Sequence, residues 1–225
     1  GHPLGDRVGQ VSGVRSNALL MLPGSRKFEV QKILPPMLRV FERLRATRPE
    51  LLGRVIVAPN MSEEVLRANA LTVVKTETVD AISWAKGDAL EEMKTARAGI
   101  LKSGTCNLEG AVAELPFVSV YSGSWVSKVI ASALVPLTEF SPVNVMKSKS
   151  VAEVFAVTID ENVLEREVSK VLDDGSDRNR VAAALVDVKN QLCGCDERFS
   201  SEDRSATVPH RVAKLVIDLA NGRLV

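Results

Sequence analysis

Histidine, cysteine and aromatic residues are scarce in this 225-residue chain, and each shortage removes a class of function. Its two histidines, His2 and His210, stand near opposite ends. A helical pair of zinc-binding histidines cannot be built from them, and a Ser–His–Asp triad would have to use one or the other. Three cysteines are an odd and small number, which disfavours a disulfide framework and points to a reducing compartment. Aromatics at 4% are too few for a base-stacking platform. Neither sign of charge dominates: 29 Lys and Arg against 28 Asp and Glu leave a net charge of +1. That balance argues against nucleic acid as a partner. No run approaches the roughly 18 apolar residues of a membrane-spanning helix. No signal-peptide pattern follows Gly1.

What the sequence does contain is an ordinary globular composition, 45% apolar and 25% charged, with room for one large domain or two small ones. Short apolar runs alternate with amphipathic stretches. Ala18–Leu22, Arg54–Ala58, Leu71–Lys75, Ala98–Lys102 and Pro116–Tyr121 read as strands, because each is brief, apolar and bounded by turn or helix signals. The spacing of Phe28, Val30, Ile33, Leu34, Leu38, Phe41 and Leu44 predicts a helix over Arg26–Arg45, kinked or divided at Pro35 and Pro36. Further helices are predicted at Ser62–Asn69, with Ser62 as N-cap, and at Ala89–Lys94, Cys106–Glu114, Trp125–Leu134, Val163–Leu172, Asp177–Leu192 and Ser205–Leu219. Apolar strands separated by helices imply an α/β fold, a doubly wound parallel sheet of Rossmann-like type. The expected organisation is a linker over 1–17, a Rossmann-like domain over 18–174 and C-terminal helices over 175–225. In such a sheet ligands bind beyond the carboxyl ends of the strands, which directs attention to the loops after Leu22 and Lys102.

The first loop, Leu22-Pro23-Gly24-Ser25-Arg26-Lys27-Phe28-Glu29, passes from a strand through a Pro-Gly turn into a helix. Free N–H groups and the macrodipole at a helix start favour an anion. Arg26 and Lys27 are disfavoured there unless a phosphate shares them, and two solvated cations on an ordinary turn are the alternative. The loop is not a Walker loop, since it lacks GxxxxGK[ST]. The second loop, Lys102-Ser103-Gly104-Thr105-Cys106-Asn107-Leu108-Glu109, offers two hydroxyls, the close backbone approach that Gly104 permits, and the amides of a second helix start. Glu109 shares a helix face with Thr105, where a carboxylate can accept from a ribose diol or simply stand in solvent. Two such loops in one sheet point to a nucleotide.

At these residues the sequence resembles a known family. LPGSRKFEV, followed by KSGTCNLEGAVAELPFVSVY, is similar to the C-terminal half of lipid A disaccharide synthase, with its LPGSR-x-x-E, SGT-x-x-LE and P-x-V-x-x-Y patterns. The opening GHPLGD resembles the GHP segment of that family, and Pro142–Val145 and Val151–Phe155 resemble its PN-x-x and PE-x-x-Q segments. The resemblance implies one half of a two-Rossmann-domain (GT-B) glycosyltransferase. The implied reaction moves a diacylglucosamine unit from UDP-2,3-diacylglucosamine to lipid X, releasing UDP and forming an inverted β-1,6 linkage. It further implies that Gly24, Ser25 and Arg26, with Glu29 of the same motif, meet the diphosphate or uridine side of the donor. Ser103, Gly104 and Thr105 would line the diphosphate, Glu109 would meet the ribose, and Asn144 and Glu153 would lie near the sugar or the interdomain cleft. Neither a cofactor nor a metal is implied. The catalytic base and acceptor site belong to the N-terminal half of that family, so this chain alone is expected to be inactive. Its implied partners are the UDP-sugar donor, the lipid acceptor, the N-terminal half or a partner chain, and peripheral contact with the inner membrane. The implied setting is the cytoplasm, or an organelle in a eukaryote. Ser122 stands where the family often has Arg, and Ala152 and Phe155 replace Pro and Gln.

Two other classes stay open on the residues alone: a noncatalytic nucleotide-sugar-binding module, and a UDP-sugar epimerase-like protein. His210 reads as a surface or packing residue, and Cys193 and Cys195 as incidental thiols. Cys106, at a helix start, is placed where a thiol pKa can fall. Lys147, Lys149, Arg39, Arg43, Arg45 and Arg48 form either a basic surface for anionic lipid or solvated helix faces.

Overall fold

Ala18–Leu22 is buried along its whole length and forms β1, because a strand covered on both faces has no position for a polar side chain. The computed structural model describes residues 3–4, 15–122, 139–193 and 207–220. Gly1 and His2 of the GHP opening, most of the 1–17 segment, the Trp125–Leu134 helix and Cys195 lie outside the described residues.

After β1 come α1 (Lys27–Thr47), β2 (Leu52–Ile56), α2 (Glu63–Ala70), α3 (Thr76–Asp80), β3 (Ile82–Ala85), α4 (Ala89–Thr95), β4 (Ala98–Lys102), α5 (Thr105–Val112) and β5 (Phe117–Ser122). Then follow α6 (Pro142–Met146), β6 (Ala152–Ala156), α7 (Glu161–Leu172), α8 (Ser176–Cys193) and α9 (Val208–Ala220). The six strands are parallel, in the order β3-β2-β1-β4-β5-β6. From β1 the chain winds outward to β3; from β4 it winds outward the other way. Right-handed crossovers therefore send α1 and α5 to opposite faces. On one face α1 packs against α7; on the other α5 packs against α4, α6 and α8. The doubly wound parallel sheet expected from the sequence is present.

Several boundaries differ from the sequence reading. Leu71–Lys75 is not a strand: residues 71–74 turn after α2, with the amides of Val73 and Val74 donating to Ala70 O. A five-residue apolar run does not by itself distinguish a strand from a buried turn. The third strand is Ile82–Ala85, whose Ile82 and Trp84 point inward in alternation while Ser83 is exposed. β6 and the short helices α3 and α6 are additions. The tandem prolines do not divide α1, which continues from Lys27 to Thr47. Each proline removes one helix donor, but Val30, Ile33, Leu34, Met37, Leu38, Phe41 and Leu44 form a continuous buried face on both sides of the pair. Ser62 caps α2 as expected, its hydroxyl accepting from Val65 N.

Arg39 and Arg43 of α1, and Arg48 just after it, are held in ion pairs with α7 and the residue that follows it. Arg39 and Arg43 both reach Glu161 of α7, at 2.5 and 2.9 Å, and Arg48 meets Asp173 at 2.5 Å. Arg45 donates to Leu51 O, and Lys147 pairs with Asp187. Among the described residues, no helix is long and apolar enough to cross a membrane.

Candidate functional site

The order β3-β2-β1-β4-β5-β6 places β1 and β4 side by side at the point where the winding reverses. Loops leaving adjacent strands in opposite directions open a crevice there. A cleft of about 300 Å³ occupies it, lined by Gly24, Ser25, Arg26 and Glu29 from the first loop and Lys102, Ser103, Gly104, Thr105 and Cys106 from the second. Leu22, Ile56 and Ala58 supply its apolar wall. Seven residues singled out in the sequence thus come together: Gly24, Ser25, Arg26, Glu29, Ser103, Gly104 and Thr105.

Backbone geometry explains the two glycines. Gly24 has φ +109° and Gly104 has φ +156°, conformations an L side chain rarely adopts. A Cβ at Gly104 would meet nothing within 4 Å, so the space above that backbone is open. A Cβ at Gly24 would lie 3.1 Å from Glu29 Oε2, so the turn is packed under that carboxylate. Asn60 Nδ2 holds the same turn from the side, donating to Ser25 O at 3.1 Å.

Arg26 is the N-cap residue of α1 and projects outward, its side chain 80% exposed. Arg26 Nη1 and Lys102 Nζ each stand 3.2 Å from Glu29 Oε1. The cleft therefore carries two cations and one anion, facing the first turns of α1 and α5, where the leading N–H groups precede the helix ladder and the Asn107 amide turns back to Gly104 O at 3.0 Å. The sum is a positive environment suited to a phosphate.

The floor of the second loop is built by Asn107, which is fully buried. Its Oδ1 accepts from Ser119 Oγ of β5 at 3.0 Å and from Ser141 Oγ, before α6, at 3.1 Å. Its Nδ2 donates to Lys102 O at 3.3 Å. Ser103 is buried, and its hydroxyl donates to Phe140 O at 2.9 Å. Both loop residues are tied to the segment that starts α6.

The remaining sequence candidates lie elsewhere. Glu109 is half-buried one turn along α5, outside the cleft lining, near enough for its charge to act on Cys106. Asn144 and Glu153 meet each other at 2.8 Å and line a separate hollow with Lys149 and Arg180. Asn144 also exchanges two hydrogen bonds with the backbone of Val151, and Glu153 accepts from the amides of Phe140 and Ser141. Ser122 donates to Val157 O, and Phe155 stacks on Tyr121 with ring centroids 5.5 Å apart. Sequence reasoning points the Asn107 amide at a phosphate but gives no role to its side chain or to Lys102. The signal for Lys102 was a lone cation ending an apolar strand; for Asn107 it was an amide inside a helix.

Cys106 corrects an expectation. Its thiol pKa is raised, to about 12, because burial disfavours the thiolate and Glu109 adds repulsion, against a weaker pull from Lys102. The thiol donates to Lys102 O at 2.9 Å. Folding raises this pKa from 9.0, so the associated stability is intact below about pH 9 and is lost as the pH climbs toward 12. In the native chain at pH 8, iodoacetamide is expected to modify Cys106 at least about tenfold more slowly than in the urea-unfolded chain. Peptide mass mapping reads this directly, and equal rates in the two states would contradict it. Among the described residues, no group of three or more His, Cys, Asp or Glu is placed to hold a metal ion.

Comparison with known proteins identifies the family and the fold. The family model described as lipid-A-disaccharide synthetase matches residues 1–201. A lipid-A-disaccharide synthase of Anaeromyxobacter dehalogenans is 32% identical over 203 residues, covering 85% of this chain and 52% of the relative. The chain spans about half the length of the curated relatives it matches first. Two solved structures share the fold at 12% identity. An O-GlcNAc transferase mutant of Thermobaculum terrenum matches with a TM-score of 0.56, over 91% of this chain and 36% of that one. The C-terminal domain of a group 1 glycosyltransferase from Francisella tularensis matches with a TM-score of 0.55, over 79% of this chain and 87% of that domain. The fold is that of a Rossmann-like domain of GT-B glycosyltransferases, and the chain belongs to the lipid-A-disaccharide synthetase family.

Proposed function

We propose that this chain is the donor-binding half of a glycosyltransferase that transfers a diacylglucosamine unit from UDP-2,3-diacylglucosamine to lipid X. The observation that carries this reading is the meeting of the LPGSR and SGT loops in one positively charged cleft at the switch point. The diphosphate lies between the first turns of α1 and α5, with Arg26 at the mouth. Glu109 takes the ribose. In the transfer, the acceptor hydroxyl oxygen attacks the anomeric carbon as the bond to the diphosphate breaks. UDP leaves with the bonding electrons, and the hydroxyl proton passes to a base in the other half of the enzyme. The cleft residues contribute by holding charge where it accumulates on the leaving diphosphate, which is worth most when the donors are already in place. The linkage formed is β-1,6 with inversion. The lipid acceptor and a peripheral membrane contact fall to the remainder of the enzyme.

Calorimetric titration with UDP tests this. The chain is expected to bind UDP saturably, and Arg26→Ala to weaken binding about tenfold by removing a charge-assisted contact. Glu109→Ala is expected to weaken UDP more than 2′-deoxy-UDP. Absence of saturable binding, or affinities indifferent to both substitutions, would overturn the reading.

A further inference from the structure

We propose that Lys102 is a diphosphate-recognition residue, held in the cleft by Glu29 until the donor arrives; this rests on the reading of the cleft as a nucleotide-diphosphate site. Lys102 ends β4, directly after the fully buried Leu101, and its backbone is fixed by the first turn of α5. Its carbonyl accepts from both Cys106 Sγ and Asn107 Nδ2, at 2.9 and 3.3 Å. The stem is guided as well: Cγ and Cδ lie 3.6 and 3.7 Å from where a Cβ on Gly24 would stand. The glycine of the first loop thus provides the channel along which the lysine of the second reaches the site.

The ammonium group is consequently far less exposed than the guanidinium at the mouth. Lys102 and Glu29 side chains are 18% and 17% exposed, against 80% for Arg26. The two cations share Glu29 Oε1 and leave one positive charge in excess. A half-desolvated ion pair adds little stability by itself, since desolvation offsets most of the attraction. Its effect here is positional. It keeps a mobile four-carbon chain aimed between two helix starts, so the ordering cost is met before the ligand binds. A diphosphate bridging the two loops offers Nζ a second anionic partner, and the excess charge is then neutralised. Lys102 contacts the phosphates and not the base or ribose.

The test compares the unaltered chain with Lys102→Met and Lys102→Arg. UDP affinity is measured by calorimetry, uridine affinity by ligand-observed NMR, and the melting temperature without ligand. Lys102→Met is expected to lose about tenfold or more in UDP affinity while uridine affinity changes less than about twofold. Lys102→Arg is expected to restore most of the loss, and the ligand-free melting temperatures to stay within a few degrees. If Lys102→Met binds UDP like the unaltered chain, or loses UDP and uridine by the same factor, Lys102 is not a phosphate contact even though the cleft is a UDP site. If the unaltered chain itself fails to bind UDP, the reading of the cleft fails and this assignment fails with it.

Discussion

Asn107→Ala is expected to destabilise the fold by about 3 kcal/mol and to weaken UDP binding in parallel. The size follows from what the truncation leaves behind. Ser119 Oγ and Ser141 Oγ both donate to Asn107 Oδ1, both serines are fully buried, and neither can turn to water. Lys102 O loses one of its two donors, keeping only the thiol of Cys106. Leaving a buried polar group unpaired costs about 1–3 kcal/mol, and neighbours in one network do not add independently. Urea unfolding measures the loss; a shift below about 1 kcal/mol would show that the network relaxes or hydrates. Ser119→Ala removes a single donor and is expected to cost only about a third as much. The functional part follows because the same amide joins the end of β4 to the start of α6, so the SGT loop loses its floor.

Arg15→Ala is the second substitution with a large expected effect, about 3 kcal/mol or more. The guanidinium donates to five backbone carbonyls: Met93, Lys94 and Ala96 at 2.9, 3.3 and 3.0 Å, and Ala113 and Glu114 at 2.7 and 3.1 Å. These are the carbonyls at the ends of α4 and α5, which have no acceptor role left within their own helices. Burial lowers the Arg15 pKa below its ordinary value, and the Glu114 carboxylate partly offsets this. Arg15→Lys is expected to recover less than half of the loss, because an ammonium cannot span two helix ends with a planar fork. Denaturant midpoints of the three proteins decide it; equal midpoints for lysine and arginine would mean that charge alone is what matters.

Legibility of the fold followed burial. β1, β4 and β5 are central and buried on both faces, so their apolar runs mark them without ambiguity. β6 has only Val154 buried among AEVFA, and at the edge of a sheet such a segment carries no clear pattern. The error at Leu71–Lys75 has the opposite cause: Val74 is buried by a turn, and turns bury valines as readily as short strands do. Most of the cleft was legible because helix starts after strands are local features. Lys102, Asn107 and Arg15 were not, since the contacts that define them connect residues far apart in the chain. Arg15 in particular sits in a polar, glycine-containing stretch that reads as a linker, although it reaches Ala113, 98 positions away in sequence.

The pairing of Leu19 with Ala98 and of Leu22 with Leu101 belongs to the one ladder that joins the two outward-winding wings of the sheet. The two loops that line the cleft leave the two sides of that ladder. A ligand gripped by both loops, as proposed for the nucleotide diphosphate, would brace the domain across that ladder. It adds about 2.7 kcal/mol of resistance to unfolding at a concentration one hundred times its dissociation constant. If UDP is that ligand, its binding is expected to raise the melting temperature of the domain as a whole.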